Sequence, residues 1–376
     1  MSETTTTPDP TVLVVPVTAR PRWAALLLSR DAAVFYTLFA VIVYAYTQVP
    51  YFASTQTIGF MLLDVIPALM IAMPMALVII TGEIDLSVAS VAGLTSAVMG
   101  VLWQAGWPII PILIICIVLG AVAGAFNGFL VATVGLPSLA VTIGTLALYR
   151  GFALVVIGDN AVANFPRELT DFATSKLGNT GVPTVMLIAL VVILFFGILL
   201  HFTPFGRSLY ALGYNKEAAT FVGIKVAQAK FWLFVAAGVV SGLVGIYWTL
   251  RYSSARSDNA TGIELAVIAA VLLGGVSIFG GKGTIPGVVA GVLLIGTINY
   301  ALRLGRVSDV VLSIVTGTLL VASVVAPSVT EWLKRQLHAR RSREAIRELG
   351  SHESSAPAPG VDHNEREDNA VVTQYK

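Results

Sequence analysis

The chain has 376 residues, of which 56% are hydrophobic and only 12% charged, with a mean hydropathy of +0.84. Ordinary globular chains are about a quarter charged, so this composition excludes a water-soluble domain and makes lipid the solvent for most of the chain. A formal net charge of +2 provides no basic field for nucleic acid, and the single cysteine, Cys116, excludes a disulfide framework or a thiolate metal site within one chain.

A spanning helix needs about 20 mostly apolar residues. Ten runs approach this, at about 33–50, 59–80, 86–103, 109–134, 137–157, 183–202, 231–251, 263–280, 284–303 and 308–332. Barrel strands would read as alternating segments of about 10 residues, whereas these runs are continuous. The expected fold is an all-α integral membrane protein, a polytopic bundle of about 10 transmembrane helices. Residues 1–30 form an N-terminal segment without the early basic region and apolar stretch of a cleaved signal peptide. Residues 31–333 form the transmembrane domain, interrupted by a polar loop at 203–230. Residues 334–376 begin as a basic amphipathic helix suited to anionic lipid and end in a polar tail of disordered composition. Most of the 23 Lys and Arg fall at the two chain ends and in the 207–230 segment. The excess of basic residues in cytoplasmic loops then places both termini in the cytoplasm.

The polar residues in or beside spans carry the functional information, because ionisable groups at membrane depth face a bundle interior or an aqueous cavity. In TGEIDLSVAS, Glu83 and Asp85 lie between spans two and three, with Ser87 following. They either cap helices at a wet turn or belong to a broken helix, which is allowed only against protein or water. Span four carries Gly120, Gly124 and Gly128 at a spacing that lets helices approach closely, with Asn127 facing either a neighbour or a pathway. In span five, Ser138, Thr142 and Thr145 lie near one helical face. Arg150 beyond them snorkels outward, pairs with Glu264 at the start of span eight, or presents donors to a substrate. In the 203–230 loop, Glu217, Ala218 and Ala219 followed by Gly223 describe a short surface helix stopped by a C-terminal glycine, placed to dock another protein. The glycines around Lys282 lack phosphate-loop spacing, since Gly283 follows the lysine, and read as a tight re-entry between spans eight and nine. No nucleophile and base constellation is present, so no catalytic residue, metal or cofactor is expected, and any ATP is bound by a separate subunit.

Four segments together resemble one family: TGEIDLSVAS, AFNGFLVATVGLPSLAVTIGTLALYRG, FGRSLYALGYNKEAATFVGI and ELAVIAAVLLGGVSIFGGKGTIPG. They are similar to permease subunits of bacterial ribose-type monosaccharide ATP-binding-cassette (ABC) importers, and SSARSD at 253–258 resembles the rhamnose and autoinducer-2 branch. The resemblance implies a non-catalytic permease that translocates rhamnose or a similar monosaccharide. Its implied partners are cytoplasmic ATPase subunits, an extracytoplasmic sugar-binding protein and a second permease subunit, identical or similar. It places ATPase coupling at Asn215, Glu217, Ala218, Ala219 and Gly223. Asn127, Thr142, Thr145, Arg150 and Glu264 would line the substrate pathway, with Glu83, Asp85 and Ser87 as a conformational turn. The family turn commonly reads Gly-Gly-Ile-Asp-Leu-Ser, and Glu83 here replaces its second glycine. The alternative is an ion-coupled secondary transporter, whose cycling carboxylate would be Asp64 or Glu264.

Overall fold

The computed structural model describes residues 30–325, with 329 and 336 beyond them. The N-terminal segment, the end of the tenth span, the basic helix and the tail therefore lie outside the described residues, apart from these single positions. Each of the ten apolar runs contains a helix: α1 (Arg30–Gln48), α2 (Thr55–Ile80), α3 (Val88–Gln104), α4 (Ile109–Gly128), α5 (Ser138–Ile157), α7 (Met186–Phe202), α10 (Val226–Tyr252), α11 (Ile263–Leu273), α12 (Ile285–Leu304) and α13 (Asp309–Val325). Three shorter helices connect them: α6 (Arg167–Thr174), α8 (Pro204–Tyr214) and α9 (Lys216–Phe221). Helix α4 continues into a π-helical turn, Phe129–Thr133.

Five helices (α2, α4 with its π turn, α5, α10 and α12) are long and apolar enough to cross a membrane alone, or up to six if the bent pair α7–α8 counts as one span. Helices α1, α3, α11 and α13 are apolar but shorter. Two helix ends have visible causes, the first short of its expected bound and the second at it. The run 263–280 is helical only to Leu273, because Gly275 takes a left-handed φ of 92° and turns the chain. The sixth span ends at Thr203, whose hydroxyl accepts from the Gly206 amide at 3.1 Å and caps α8 after a 71° bend. Pro204 at the first position of α8 needs no donor there.

The centre of the bundle is α2. Every residue from Leu69 to Thr81 is buried, including Pro74. Helix α2 packs against α10, α12, α7 and α11, so protein rather than lipid surrounds it. By contrast, α4, α5 and α7 present exposed apolar faces, among them Val122, Phe126, Val155, Val191 and Phe195, as expected of surfaces that meet acyl chains. A two-residue antiparallel ribbon pairs Val162 with Ala255 and Ala163 with Ser254 at the C-terminal ends of α5 and α10.

The most intimate helix pair is α4 on α10, and its contact is made through backbone. A Cβ at Gly124 would meet the Phe234 carbonyl oxygen, one at Gly120 the Gly238 carbonyl, and one at Gly128 would come to 2.9 Å from the Phe231 carbonyl. Gly238 and Gly242 answer from the facing helix, against Gly120 and Cys116. Without a hydrophobic force between helices in lipid, such close van der Waals approach is what associates them. Gly124→Val should therefore destabilise the detergent-solubilised protein by about 1–3 kcal/mol or more through overpacking, read as a lower thermal midpoint. Gly144→Ala, on α5 with nothing within 4 Å of the new methyl, should leave the midpoint unchanged.

Candidate functional site

Between α2 and α3 the chain leaves helical geometry over residues 81–87 while remaining largely buried: Asp85 and Ser87 are each 1% exposed. Backbone polar groups in such a position need partners, and the surrounding helices supply them. Ser138, at the start of α5, accepts from the Ile84 amide at 3.2 Å. One turn on, the Thr142 hydroxyl donates to the Ile84 carbonyl at 3.2 Å. Asp85 accepts from the Ser87 amide and hydroxyl at 2.9 and 2.7 Å. Asn127 of α4 donates to the Ser87 hydroxyl at 2.8 Å. The Tyr149 hydroxyl ties α5 back to α4 by donating to the Ala123 carbonyl at 2.9 Å.

Of the two sequence readings of Glu83, Asp85 and Ser87, the geometry is that of a broken helix held by protein. Asn127, Thr142 and Thr145, read from the resemblance as pathway residues, are buried in this conformation. Two of them bond the break itself, and Thr145 bonds the Thr142 carbonyl of its own helix at 3.5 Å. Glu83 is not capping a helix. Its carboxylate forms an ion pair with Lys230, in the first turns of α10, with side chains only 16% and 7% exposed. Sequence reasoning counted Lys230 only for topology and missed this pair. The available signal was the charge that Glu83 places where glycine is usual, which demands a counter-charge once buried.

Of the routes left open for Arg150, the described residues show neither outward snorkelling nor an ion pair with Glu264. Its guanidinium donates to the backbone carbonyls of Ser257 at 2.6 Å and Asn259 at 2.9 Å, and more weakly to that of Ala89 at 3.4 Å. Gly93 makes room, since a Cβ there would meet the Arg150 Nη1. Asn259 in turn donates to Ser96 at 2.8 Å and to the Ser254 carbonyl at 3.0 Å. Arg150 thus fastens α5 and α3 to the 253–262 loop, and no ion pair to Glu264 forms among the described residues. Glu264 keeps one buried carboxylate oxygen without a partner. Asp64, the other acidic candidate for ion coupling, is paired with Arg251 and, at 3.4 Å, with Arg303.

The loop at 203–230 forms the helix that its sequence describes. The Asn215 side chain accepts from the Ala218 amide at 2.9 Å, starting α9. Gly223, at φ 85°, ends it, with the Ile224 amide returning to the Ala219 carbonyl at 3.1 Å. Ala219 packs inward at 2% exposure, whereas Glu217 and Ala218 face out. Around them stand three exposed apolar side chains: Tyr214 (83%), Phe221 (91%) and Val222 (76%). Helix α8, which carries α9, touches the break directly. Gly213 lies so close to the Ile80 carbonyl that a Cβ would collide with it. The Gly281 amide donates to the same carbonyl at 2.8 Å, and the Tyr210 hydroxyl donates to the Gly283 carbonyl at 2.7 Å. The 280–283 turn is the tight re-entry read from the glycine run, and it joins α8 to the end of α2.

Removing one member of a buried ion pair costs about 3–5 kcal/mol, because the survivor stays buried and uncompensated. Lys230→Ala should accordingly lower the thermal midpoint of the purified protein sharply. Lys230→Ala combined with Glu83→Gly, which removes both charges and leaves glycine in the turn, should recover most of the loss. Equal damage in the single and double variants would show that the pair does not hold the break.

Comparison with known proteins agrees with this architecture. The family described as "Branched-chain amino acid transport system / permease component" matches residues 57–324. Among similar proteins are those named autoinducer 2 import system permease protein LsrD. The one from Klebsiella pneumoniae is 32% identical over 88% of this chain and 98% of its own length. That from Photorhabdus luminescens is 32% identical over 72% of this chain and 85% of its own length, and that from Yersinia enterocolitica 33% over 71% and 84%. No solved structure matches the chain. With the match covering the bundle from α2 to α13, and with relatives aligned over most of both chains, this chain belongs to that family of non-catalytic membrane permease subunits, in the ribose-type ABC importer branch its own motifs resemble.

Proposed function

We propose that the chain is the permease of an ATP-driven importer for a small uncharged sugar or sugar-like signal, rhamnose and autoinducer 2 being the nearest candidates. The observation that carries this reading is the exposed apolar knob of Tyr214, Phe221 and Val222 around a six-residue helix. Through α8, that helix is in backbone contact with the end of the central helix α2. A polar chain segment has no reason to expose three large apolar side chains together unless a protein covers them. An ATPase subunit docked there would act on α8, on the Ile80 carbonyl and on the 81–87 break, biasing the bundle between two access states. Asn215, Glu217, Ala218, Ala219 and Gly223 form the docking element. Asn127, Thr142, Thr145 and Arg150 line the route once the break separates from α5, and Glu83, Asp85 and Ser87 form the turn that moves. This orientation puts both chain ends and the 203–230 loop in the cytoplasm. The opposite end, with the exposed Arg256–Asp258 pair at 2.7 Å, faces the delivering binding protein. There the Arg256 guanidinium holds the Asp258 carboxyl below its ordinary range. A second permease subunit, of the same or a similar chain, completes the transporter. The names of the autoinducer-2 relatives support the substrate class. No observation favours the ion-coupled reading of Asp64 and Glu264.

Purification of the tagged chain from its native membrane tests the assignment. Recovery of an ATPase and a sugar-binding protein is the expected result. A chain that elutes alone and transports after reconstitution with only an ion gradient would overturn it. At Gly223 the left-handed backbone, with nothing within 4 Å of a new Cβ, makes conformation rather than space the constraint. Gly223→Val should cost about 1–2 kcal/mol of helix-end geometry, weakening ATPase retention roughly 5- to 30-fold at normal membrane abundance. Gly223→Asn, which tolerates this conformation, should retain the ATPase.

A further inference from the structure

At the end of the bundle away from α9, helices α2, α10, α11 and α12 line an open cavity of about 290 Å3. Its wall brings together Asp64, Trp248, Arg251, Asn299, Tyr300 and Arg303, a density of hydrogen-bonding groups that a purely structural contact between spans does not need. The charged side chains are engaged with one another. Arg251 donates to the Leu63 carbonyl and to Asp64. Arg303 reaches the other Asp64 oxygen at 3.4 Å and Asp309 at 3.5 Å. Arg251 and Arg303 in the wall are each engaged by a carboxylate, Asp64 between them and the exposed Asp309 outside the cavity, which weakens the field on a free ion and leaves oriented donors and acceptors for a neutral molecule. Asn299 adds a buried amide oxygen that no protein group satisfies. A stranded acceptor of this kind costs about 1–3 kcal/mol, which a hydroxyl donor entering the cavity would relieve. Trp248 and Tyr252, with ring centroids 5.8 Å apart, add flat apolar surface beside these polar groups. The volume equals that of about ten liquid waters, enough to seat a small ring bearing hydroxyls.

We propose that this cavity is a weak binding site, within the permease itself, for a neutral polyhydroxylated solute of monosaccharide size. The proposal rests on the importer reading for its purpose: the site lies on the side where solute is delivered and holds it before the 81–87 break opens. A neutral site of few hydrogen bonds also lets the solute leave again, as translocation requires.

Equilibrium dialysis tests the site directly, using the full-length chain in lipid nanodiscs, without partners, against radiolabelled L-rhamnose and D-ribose. The expected result is saturable binding of at least one sugar, competed by unlabelled neutral sugars and unaffected by sodium phosphate or acetate. Asn299→Leu and Trp248→Ala should each weaken it about tenfold, the equivalent of about 1.4 kcal/mol. Two variants on different helices are used so that a folding defect in one, seen by gel filtration, leaves the other to decide. Absence of saturable binding to the unaltered chain overturns the proposal, as does displacement of the sugar by phosphate. So does a co-purified phospholipid, detected by native mass spectrometry, that occupies the unaltered chain and is lost in both variants. The two readings fail separately. Recovery of the ATPase from native membrane with no sugar binding removes the cavity site alone, whereas sugar binding by a chain that transports on an ion gradient removes the importer reading alone.

Discussion

The structure depends on one constraint: backbone that leaves helical geometry inside a membrane protein must find its hydrogen-bond partners in the protein. Residues 81–87 are where the chain meets that constraint most sharply. Ser138 and Thr142 of α5 satisfy the Ile84 amide and carbonyl, Asp85 takes the Ser87 amide, and Asn127 of α4 bonds the Ser87 hydroxyl. The partners outside the break come from α4 and α5, so the break ties those two helices to the junction of α2 and α3. Any movement that opened it would have to exchange these bonds together, which gives the region the character of a two-state element rather than a hinge of graded flexibility.

Helix α2 transmits that constraint along the bundle. It is covered by protein over most of its length, it contains Pro67 and Pro74, which remove two donors from its own ladder, and its last carbonyl, Ile80, is claimed by the 280–283 turn and crowded by Gly213. The glycine seam between α4 and α10 serves a different purpose. It brings two backbones into contact without relying on interlocking side chains, so the helix that bears Lys230 is held close to the helix that bears Asn127. Glycine is required at Gly213 and along the seam for the same physical reason, the absence of a Cβ at a backbone-to-backbone contact.

Much of this was legible in the sequence wherever the cause is local. Run length and apolarity located a helix in each of the ten segments, because a spanning helix satisfies its own backbone and needs no distant partner. The four-residue glycine spacing gave the α4 packing face, and Asn215 with Gly223 gave both ends of α9, since caps act within one helical turn. What the sequence did not disclose is long-range. Lys230 and Glu83 are 147 residues apart, and Arg150 is more than 100 residues from the two carbonyls it binds most tightly. Backbone carbonyls carry no sequence signal at all, so a side-chain search for an arginine partner pointed to Glu264, and the actual acceptors were invisible. The early stop of α11 was an error of degree. Its glycines were recognised as a turn, but the apolar residues Val276 and Ile278 made the run appear to continue.

The distribution of charge through the bundle bears on what can pass. Glu83 is cancelled by Lys230 at one end, Asp64 by Arg251 and Arg303 at the other, and Arg150 is spent on carbonyl dipoles between them. Unpaired, any of these would be a monopole in a medium of low dielectric, where it would bind an oppositely charged solute tightly and repel one of like charge. Paired, they present short-range dipoles that a neutral molecule can exchange for water at little cost in either direction. An ion-coupled carrier needs the opposite arrangement, a carboxylate whose charge state is free to cycle, whereas the Asp64 carboxylate is engaged by the guanidinium groups of Arg251 and Arg303. Among the described residues, Glu264 is an acidic side chain in a span without such a partner, and its unsatisfied oxygen lies at the first turn of α11, next to Ile263 of the cavity wall rather than at the broken helix. The two ends are therefore joined by a helix core in which most fixed charges are engaged by counter-charges or carbonyl dipoles, in keeping with the proposed uncharged solute.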